Sequence, residues 1–189
     1  MKLYIECNMG IAGDMLTAAL TELFDDRDSI VRELNEIGIE GVSFKASAAE
    51  KCGIKGTHMT VIYNGQEESE EMHDHHEHDH HDHHEHDHHD HHGHHHRHAS
   101  LADVKSIIGS LDVPENVRKN ACRVYDALAE AEAHVHGTDI VNIHFHEVGT
   151  MDAVADITAV CYLISKLNPE KITVSPIHVG RGTVRCAHG

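Results

Sequence analysis

The chain has no tryptophan, three phenylalanines and four tyrosines. With so few rings, aliphatic side chains must supply most of the core. Positive charge is scarce too: 15 Lys and Arg stand against 32 Asp and Glu, a formal charge of −17 with histidine neutral. Such a surface repels phosphate, so neither nucleic acid nor an anionic membrane is expected as a partner, whereas cations suit it. The five cysteines, Cys7, Cys52, Cys122, Cys161 and Cys186, are odd in number and form no C-x-x-C pair. A disulfide framework is not expected, and a reducing cytoplasm is. No window approaches the roughly 18 apolar residues of a membrane span, and the N-terminal MKLYIECNMG has no apolar signal core. The 189 residues, 40% of them hydrophobic, suit one domain or two small ones with a genuine core.

Periodicity predicts mixed secondary structure. Leu3 to Cys7 reads as a strand, followed by a glycine-containing turn and a helix with Met15, Leu16, Ala19, Leu20 and Leu23 at helical spacing. A second helix carries Ile30, Val31, Leu34 and Ile37 and stops at Gly38. Val42, Phe44, Ala46 and Ala48 alternate with polar residues and can pair with Met59 to Tyr63 as a β-hairpin. After residue 99, Ser100 can cap a helix carrying Leu101, Val104, Ile107 and Ile108. Pro114 opens a longer helix with Val117, Ala121, Val124, Leu128 and Ala131, ended by Gly137. Ile143 to Phe145 reads as extended. Val154, Ile157, Cys161 and Ile164 mark a last helix, and Lys171 to Val179 one or two strands. The expected class is α/β or α+β, a small mixed sheet with packed helices and a long disordered insert. The expected division is 1–63, an insert at 64–99, and 100–189, with the outer parts forming one folded domain.

The insert is the most unusual stretch. Between Met72 and Ala99 the chain reads HDHHEHDHHDHHEHDHHDHHGHHHRH, 17 histidines in 26 residues, with Asp and Glu making up most of the rest. It is long, irregular and internal, unlike a purification tag, and too polar to offset its own ordering entropy. Neutral imidazole binds Ni, Zn, Cu and Co, and the carboxylates add charge. His75, His76, His80, His81, His83 and His84 are representative candidate ligands. Many alternative ligand sets on one flexible string give exchangeable binding, suited to storage or delivery. A length-tolerant solvated loop is the competing reading.

Three further stretches carry chemistry. In Ile143-His144-Phe145-His146-Glu147-Val148-Gly149, an extended backbone points His144 and His146 to one side, and Gly149 permits a sharp turn into a helix. Asp152 and Asp156, four apart, share a helical face away from the apolar stripe. Two histidines and up to three carboxylates can converge on a divalent ion or a substrate. Alternatively the aspartates complement the helix dipole and one histidine is a core residue. In Glu6-Cys7-Asn8-Met9-Gly10-Ile11-Ala12-Gly13-Asp14-Met15, a strand, a glycine turn and a helix N-terminus can cradle phosphate or carboxylate at Gly10, Gly13 and Asp14. The spacing is neither a Walker loop nor a dinucleotide fingerprint. Asp14 can equally be a cap, or hold a cation together with Glu6. In the tail, His178 to Gly189, Arg181 and Arg185 can bind phosphate, or the segment is simply a glycine-rich terminal strand and loop.

These stretches resemble the nickel insertion proteins of the lactate racemase cofactor pathway (the LarC family). ECNMGIAGDM, Glu6 to Met15, is similar to that family's D-C-F-S-G-I-S-G-D-M, with Glu6, Asn8 and Met9 in place of Asp, Phe and Ser. Ile143 to Gly149 with Asp152, Asp156 and Ile157 resembles V-H-F-H-E-V-G followed by D-x-x-x-D-I. Val179 to Gly189 follows V-G-x-G-x-V-x-x-x-H-G, and a His-rich insert is a family habit.

The resemblance implies insertion of Ni²⁺ into pyridinium-3,5-bisthiocarboxylic acid mononucleotide, giving a nickel-pincer nucleotide with one Ni–C and two Ni–S bonds. It implies CTP hydrolysis with Mn²⁺ or Mg²⁺ in the complete protein, whose CTP site belongs to a C-terminal half. This chain looks like the N-terminal half, and that other half, made by frameshifting or as a separate chain, is the expected partner. The complete protein is expected to be a homo-oligomer. His144, His146, Glu147, Asp152, Asp156 and His188 then become the expected holding site for metal. Gly10, Gly13, Asp14, Arg181 and Arg185 become the expected nucleotide site. Glu147 or His146 is the expected base for the ring proton. A non-catalytic nickel storage or metallochaperone module, and a metallohydrolase built on His144-x-His146-Glu147, are the alternatives.

Overall fold

The computed structural model describes residues 1–67, 99–145 and 148–182. The expectations for the insert ligands His75, His76, His80, His81, His83 and His84, for His146 and Glu147, and for Arg185 and His188 lie outside the described residues. The mixed class is as expected. Strand β1 (Lys2–Ile5) leads to helix α1 (Gly13–Thr21), then α2 (Arg27–Glu36). A long hairpin, β2 (Val42–Lys51) and β3 (Ile54–Tyr63), continues into the two-residue β4 (Gln66–Glu67). After the insert come β5 (Ala99–Ser100), α3 (Leu101–Ser110) and α4 (Glu115–His136). A 3₁₀ turn (Ile140–Asn142), β6 (His144–Phe145), α5 (Met151–Leu167) and β7 (Lys171–Val174) follow.

Among the described residues there are three small sheets: β1 with β7 in parallel, β2-β3-β4 antiparallel, and β5 with β6 antiparallel. The hairpin turns at Cys52 and Gly53, both at positive φ, as a two-residue loop requires. Asn35 on α2 covers part of the outer edge of β2, accepting from Phe44 N–H at 2.8 Å and donating to Phe44 O at 3.0 Å. Ser100 caps α3 through a capping box with Asp103. Within the bounds expected for the insert, residues 66 and 67 pair with β3, and Ala99 pairs with Phe145. The reason is local, since both ends find a strand to hydrogen-bond.

Three helix faces differ from their expected stripes. On α1 the buried residues are Thr17, Ala18, Leu20 and Thr21, while Met15 and Leu23 are about half exposed. Thr21 can be buried because its hydroxyl donates to Thr17 O at 2.8 Å. On α4 the buried row is Val117, Ala121, Tyr125, Ala129 and Ala133, a strict four-residue ridge, and Val124 faces out. On α5 burial extends to Val154, Ala155, Thr158, Ala159, Cys161 and Leu163. It is wider than a single stripe because α5 touches α1, α3, α4 and the hairpin. One core unites residues from both sides of the insert, from Ala18 and Leu34 to Tyr125 and Leu163.

Candidate functional site

The parallel pairing of β1 and β7 decides where the chemistry gathers. Helix α1 leaves the C-terminal end of β1, and α5 feeds the N-terminal end of β7. Both helices therefore begin at the end of the sheet where β1 and β7 finish. In open α/β arrangements that is where ligands bind. The loop after β1 and the chain after β7 are tied together there. Cys7 N–H donates to Ser175 Oγ at 2.8 Å, and Cys7 O accepts from His178 N–H and Gly10 N–H, each at 3.1 Å. Gly10 has φ +81, a left-handed backbone that favours glycine, and it lies in contact with His178 O.

On the opposite side of the same turn, α1 meets α5. A Cβ on Gly13 would lie 2.5 Å from Asp156 Cβ and 2.5 Å from its Oδ2. Gly13 is required for close approach, not for a special φ. Ala12, the N-cap of α1, offers no side-chain bond. The Asp14 backbone N–H lies near enough to the Asp156 carboxylate to favour its charged form.

This geometry changes the acidity of Asp156. Burial pushes its pKa up to about 7, the charges of Asp152 and then Asp14 add to the rise, and the Asp14 N–H opposes it. Asp156 is half-buried, and its Oδ1 is cut off from solvent with no hydrogen-bond partner. The expectation that Asp152 and Asp156 share a face of α5 holds, and the charge of Asp152 reaches Asp156. The expectation that this face lies apart from the packed side of α5 does not hold, because the start of α1 lies on Asp156. Asp14, expected at the nucleotide-binding turn, as a cap or as a cation ligand with Glu6, lies near enough for its charge to raise the Asp156 pKa.

The third element is the turn between β6 and α5. Phe145 is buried and His144 is exposed on β6, opposite Ser100. Tyr125 of α4 grips both flanks of the turn. Its ring meets Phe145 edge-on at 5.7 Å, and its hydroxyl donates to Val148 O at 3.0 Å. Burial raises the Tyr125 pKa far above the phenol range, so it remains a donor. Gly149 is needed because a Cβ would sit 2.8 Å from Phe145 Cβ and 3.2 Å from Ala99 Cβ; it is not at positive φ. Neither Tyr125 nor His178 was singled out from sequence. Tyr125 carried no signal beyond its place on the ridge of α4, and His178 only its nearness to the tail glycines.

Arg181, three residues beyond His178, is exposed. Among the described residues no group of three or more His, Cys, Asp or Glu side chains is arranged to hold a metal ion. The charges of Asp152 and Asp14 reach Asp156, but the three form no ready-made cage. A shallow hollow of about 390 Å³, lined by Gly38, Tyr63, Asn64, Ile107 and Met151 among others, touches the start of α5 but includes none of these aspartates.

Comparison with known proteins gives a consistent result. A family model described as nickel insertion protein matches residues 3–189. A relative from Clostridium acetobutylicum is 42% identical over 192 residues, covering 99% of this chain and 46% of the relative. One from Desulfitobacterium hafniense is 36% identical, covering 98% and 39%, and one from Akkermansia muciniphila 34%, covering 99% and 41%. All three are named pyridinium-3,5-bisthiocarboxylic acid mononucleotide nickel insertion protein. The chain thus spans about two fifths of the length of these relatives. No solved structure matches it.

Proposed function

The chain belongs to the nickel insertion protein family, and on that premise we propose that it is the nickel-handling part of a cyclometallase, a lyase in class. The complete protein, which includes a C-terminal half, places Ni²⁺ into pyridinium-3,5-bisthiocarboxylic acid mononucleotide, the compound in its relatives' names. The product is the nickel-pincer cofactor of lactate racemase. Nickel is here a substrate. In the reaction two sulfur donors bind the ion, a Ni–C bond replaces a ring C–H bond, and the proton leaves to a base.

The observation that carries this reading is the gathering of Gly10, Asp14, Asp156 and His178 at one end of the parallel strand pair. A carboxylate raised to about 7 by burial, and further by the charges of Asp152 and Asp14, is relieved by accepting a divalent cation, which favours the charged forms. The glycine turn, with Arg181 three residues beyond His178, is the proposed site for the anionic nucleotide. His144 and Asp152, with His146, Glu147 and His188, complete the proposed ligand set. Glu147 or His146 is the proposed base, and Arg185 a further phosphate contact. The histidines of the insert, including His75, His76, His80, His81, His83 and His84, form the proposed reservoir. CTP with Mn²⁺ or Mg²⁺ is proposed for the complete protein only. The described residues offer no ligand group of three for such an ion, and no step is assigned to it.

The histidine-rich insert favours a second reading, nickel storage or chaperoning without catalysis. One experiment separates them. Cofactor formation is followed with the C-terminal half present, CTP and substrate supplied, at low and high nickel. The proteins compared are the intact chain, the chain lacking residues 73–98, and His144→Ala combined with Asp156→Asn. Insertion at this site predicts that the deletion fails only at low nickel and the double variant fails at both. A double variant with full turnover at high nickel leaves storage as the function of this chain.

A further inference from the structure

The β1–β7 sheet has two strands among the described residues. Parallel pairs are otherwise found in sheets covered on both faces, and a two-stranded sheet is marginal alone. Here the outer strand is bare. The register sets Ile172 beside Leu3 and Val174 beside Ile5. Leu3 packs against the core, yet Ile172 and Val174 on the same side are 40% and 49% exposed. The apolar run continues past the strand with Ile177, 54% exposed, and Val179, 91% exposed.

The backbone of β7 is open as well. Ser175 N–H donates to Ile5 O at 2.9 Å. Strand alternation then turns the N–H and C=O groups of Val174 and Ile172 away from β1. Among the described residues no strand pairs with that edge. The same two residues thus present unpaired backbone and uncovered aliphatic side chains. Lys171 guards only the start of the edge, as lysines do on exposed strands, and four apolar residues follow it. An edge of this kind takes another strand, whose main chain supplies the hydrogen bonds and whose side chains cover the apolar ones.

The relatives indicate the occupant. The matched region makes up only 39 to 46% of their length, so in each of them more than half of the polypeptide is tethered to a copy of this one. Tethering gives a high effective concentration and makes strand addition inexpensive in entropy. We propose that a β-strand from that remaining part of the family's polypeptide adds to the outer edge of β7. The added strand runs beside the segment leading to His178, and so brings residues of the remainder to the end of the sheet where Asp14 and Asp156 lie. The proposal rests on the family membership and on the proposed C-terminal partner, not on the nickel site.

The test uses this chain, the separately expressed remainder of the Clostridium acetobutylicum relative, and amide hydrogen exchange read by NMR at Ile172 and Val174. In the chain alone both amides exchange fast at every concentration. In the mixture both slow by roughly tenfold or more. Val174→Asp removes the slowing while the melting temperature of the chain alone stays within about 2 °C, since the side chain is half exposed. Ile172→Asp repeats the measurement. Unchanged exchange in the mixture overturns the proposal. So does slowing that grows with the concentration of the chain alone, which assigns the edge to a second copy. No metal or nucleotide enters the assay, so failure here leaves the nickel reading standing, and failure of that reading leaves this one.

Discussion

Gly13, the first residue of α1, lies directly against the side chain of Asp156 on α5, with a would-be Cβ only 2.5 Å from Asp156 Cβ. That contact unites the first and second sequence motifs. It buries a carboxylate beside two others, which costs stability and, under the proposed function, serves the chemistry.

Gly13→Ala tests the contact. Alanine is favoured over glycine in a helix by about 0.5–1 kcal/mol. The clash acts against it, and overpacking of this kind costs about 1–3 kcal/mol. The clash involves the Cβ of a helical residue as well as its flexible carboxylate, so the net change is destabilising. Urea denaturation at neutral pH measures it. A midpoint equal to or above that of the unsubstituted chain would show that α1 shifts away from α5 without cost.

Asp156→Asn tests the charge. The folded pKa of about 7 lies above the ordinary 3.8, so between those values the folded chain binds a proton that the unfolded chain has released. Stability from this group is therefore intact below about pH 4 and declines until about pH 7. Asparagine does not titrate, so its advantage appears across that window and persists above it. After allowance for solvent screening of a half-buried group, it amounts to about 1–3 kcal/mol at pH 8. Melting curves at pH 4 and pH 8 should be nearly equal for the two proteins at the lower pH and separated by several degrees at the higher. Under the proposed function, cofactor formation falls in the same variant.

Tyr125→Phe removes one hydroxyl and keeps the ring. The Val148 carbonyl loses its donor at 3.0 Å, at a cost of about 1–2 kcal/mol, while the edge-on contact with Phe145 remains. The loss should be local: faster amide exchange in residues 145–150, with α2 and the hairpin unaffected. Exchange that rises evenly over the whole chain would show that Tyr125 serves general packing only.

Ser100→Ala probes how the chain leaves the insert. Ser100 Oγ accepts from Asp103 N–H at 3.1 Å, and Asp103 accepts from Ser100 N–H at 3.0 Å. Loss of the reciprocal cap should cost about 1 kcal/mol. Because Ser100 also pairs with His144 across β5 and β6, fraying should extend to His144. Exchange at the His144 amide is the readout.

Local chemistry was legible wherever one residue type dictates one conformation. Ser100 as a cap and Gly137 at the end of α4 follow from a residue acting on its own backbone, whereas β3 starts at Ile54, ahead of the expected Met59. Helix faces were less legible. On α4 the choice between Val124 and Tyr125 depends on where α3 and α5 approach, and periodicity admits both. On α1 Thr21 looks polar in sequence and is buried because the helix backbone accepts its hydroxyl, while the Thr17 hydroxyl is buried without a partner.

Composition and residue order by themselves determined the acidic surface, the histidine string, the three chemical motifs and the family they resemble, because these are properties of side chains in sequence. Which carboxylates meet was decided by tertiary structure alone. Asp14 and Asp156 are 142 residues apart, and no spacing rule links them. They come together because β1 and β7 pair in parallel, which sends α1 and α5 off from the same end of the sheet, and because a glycine at position 13 lets the two helices touch. The raised acidity of Asp156 follows from that contact through burial and repulsion, both of which depend on distance in space, not in sequence.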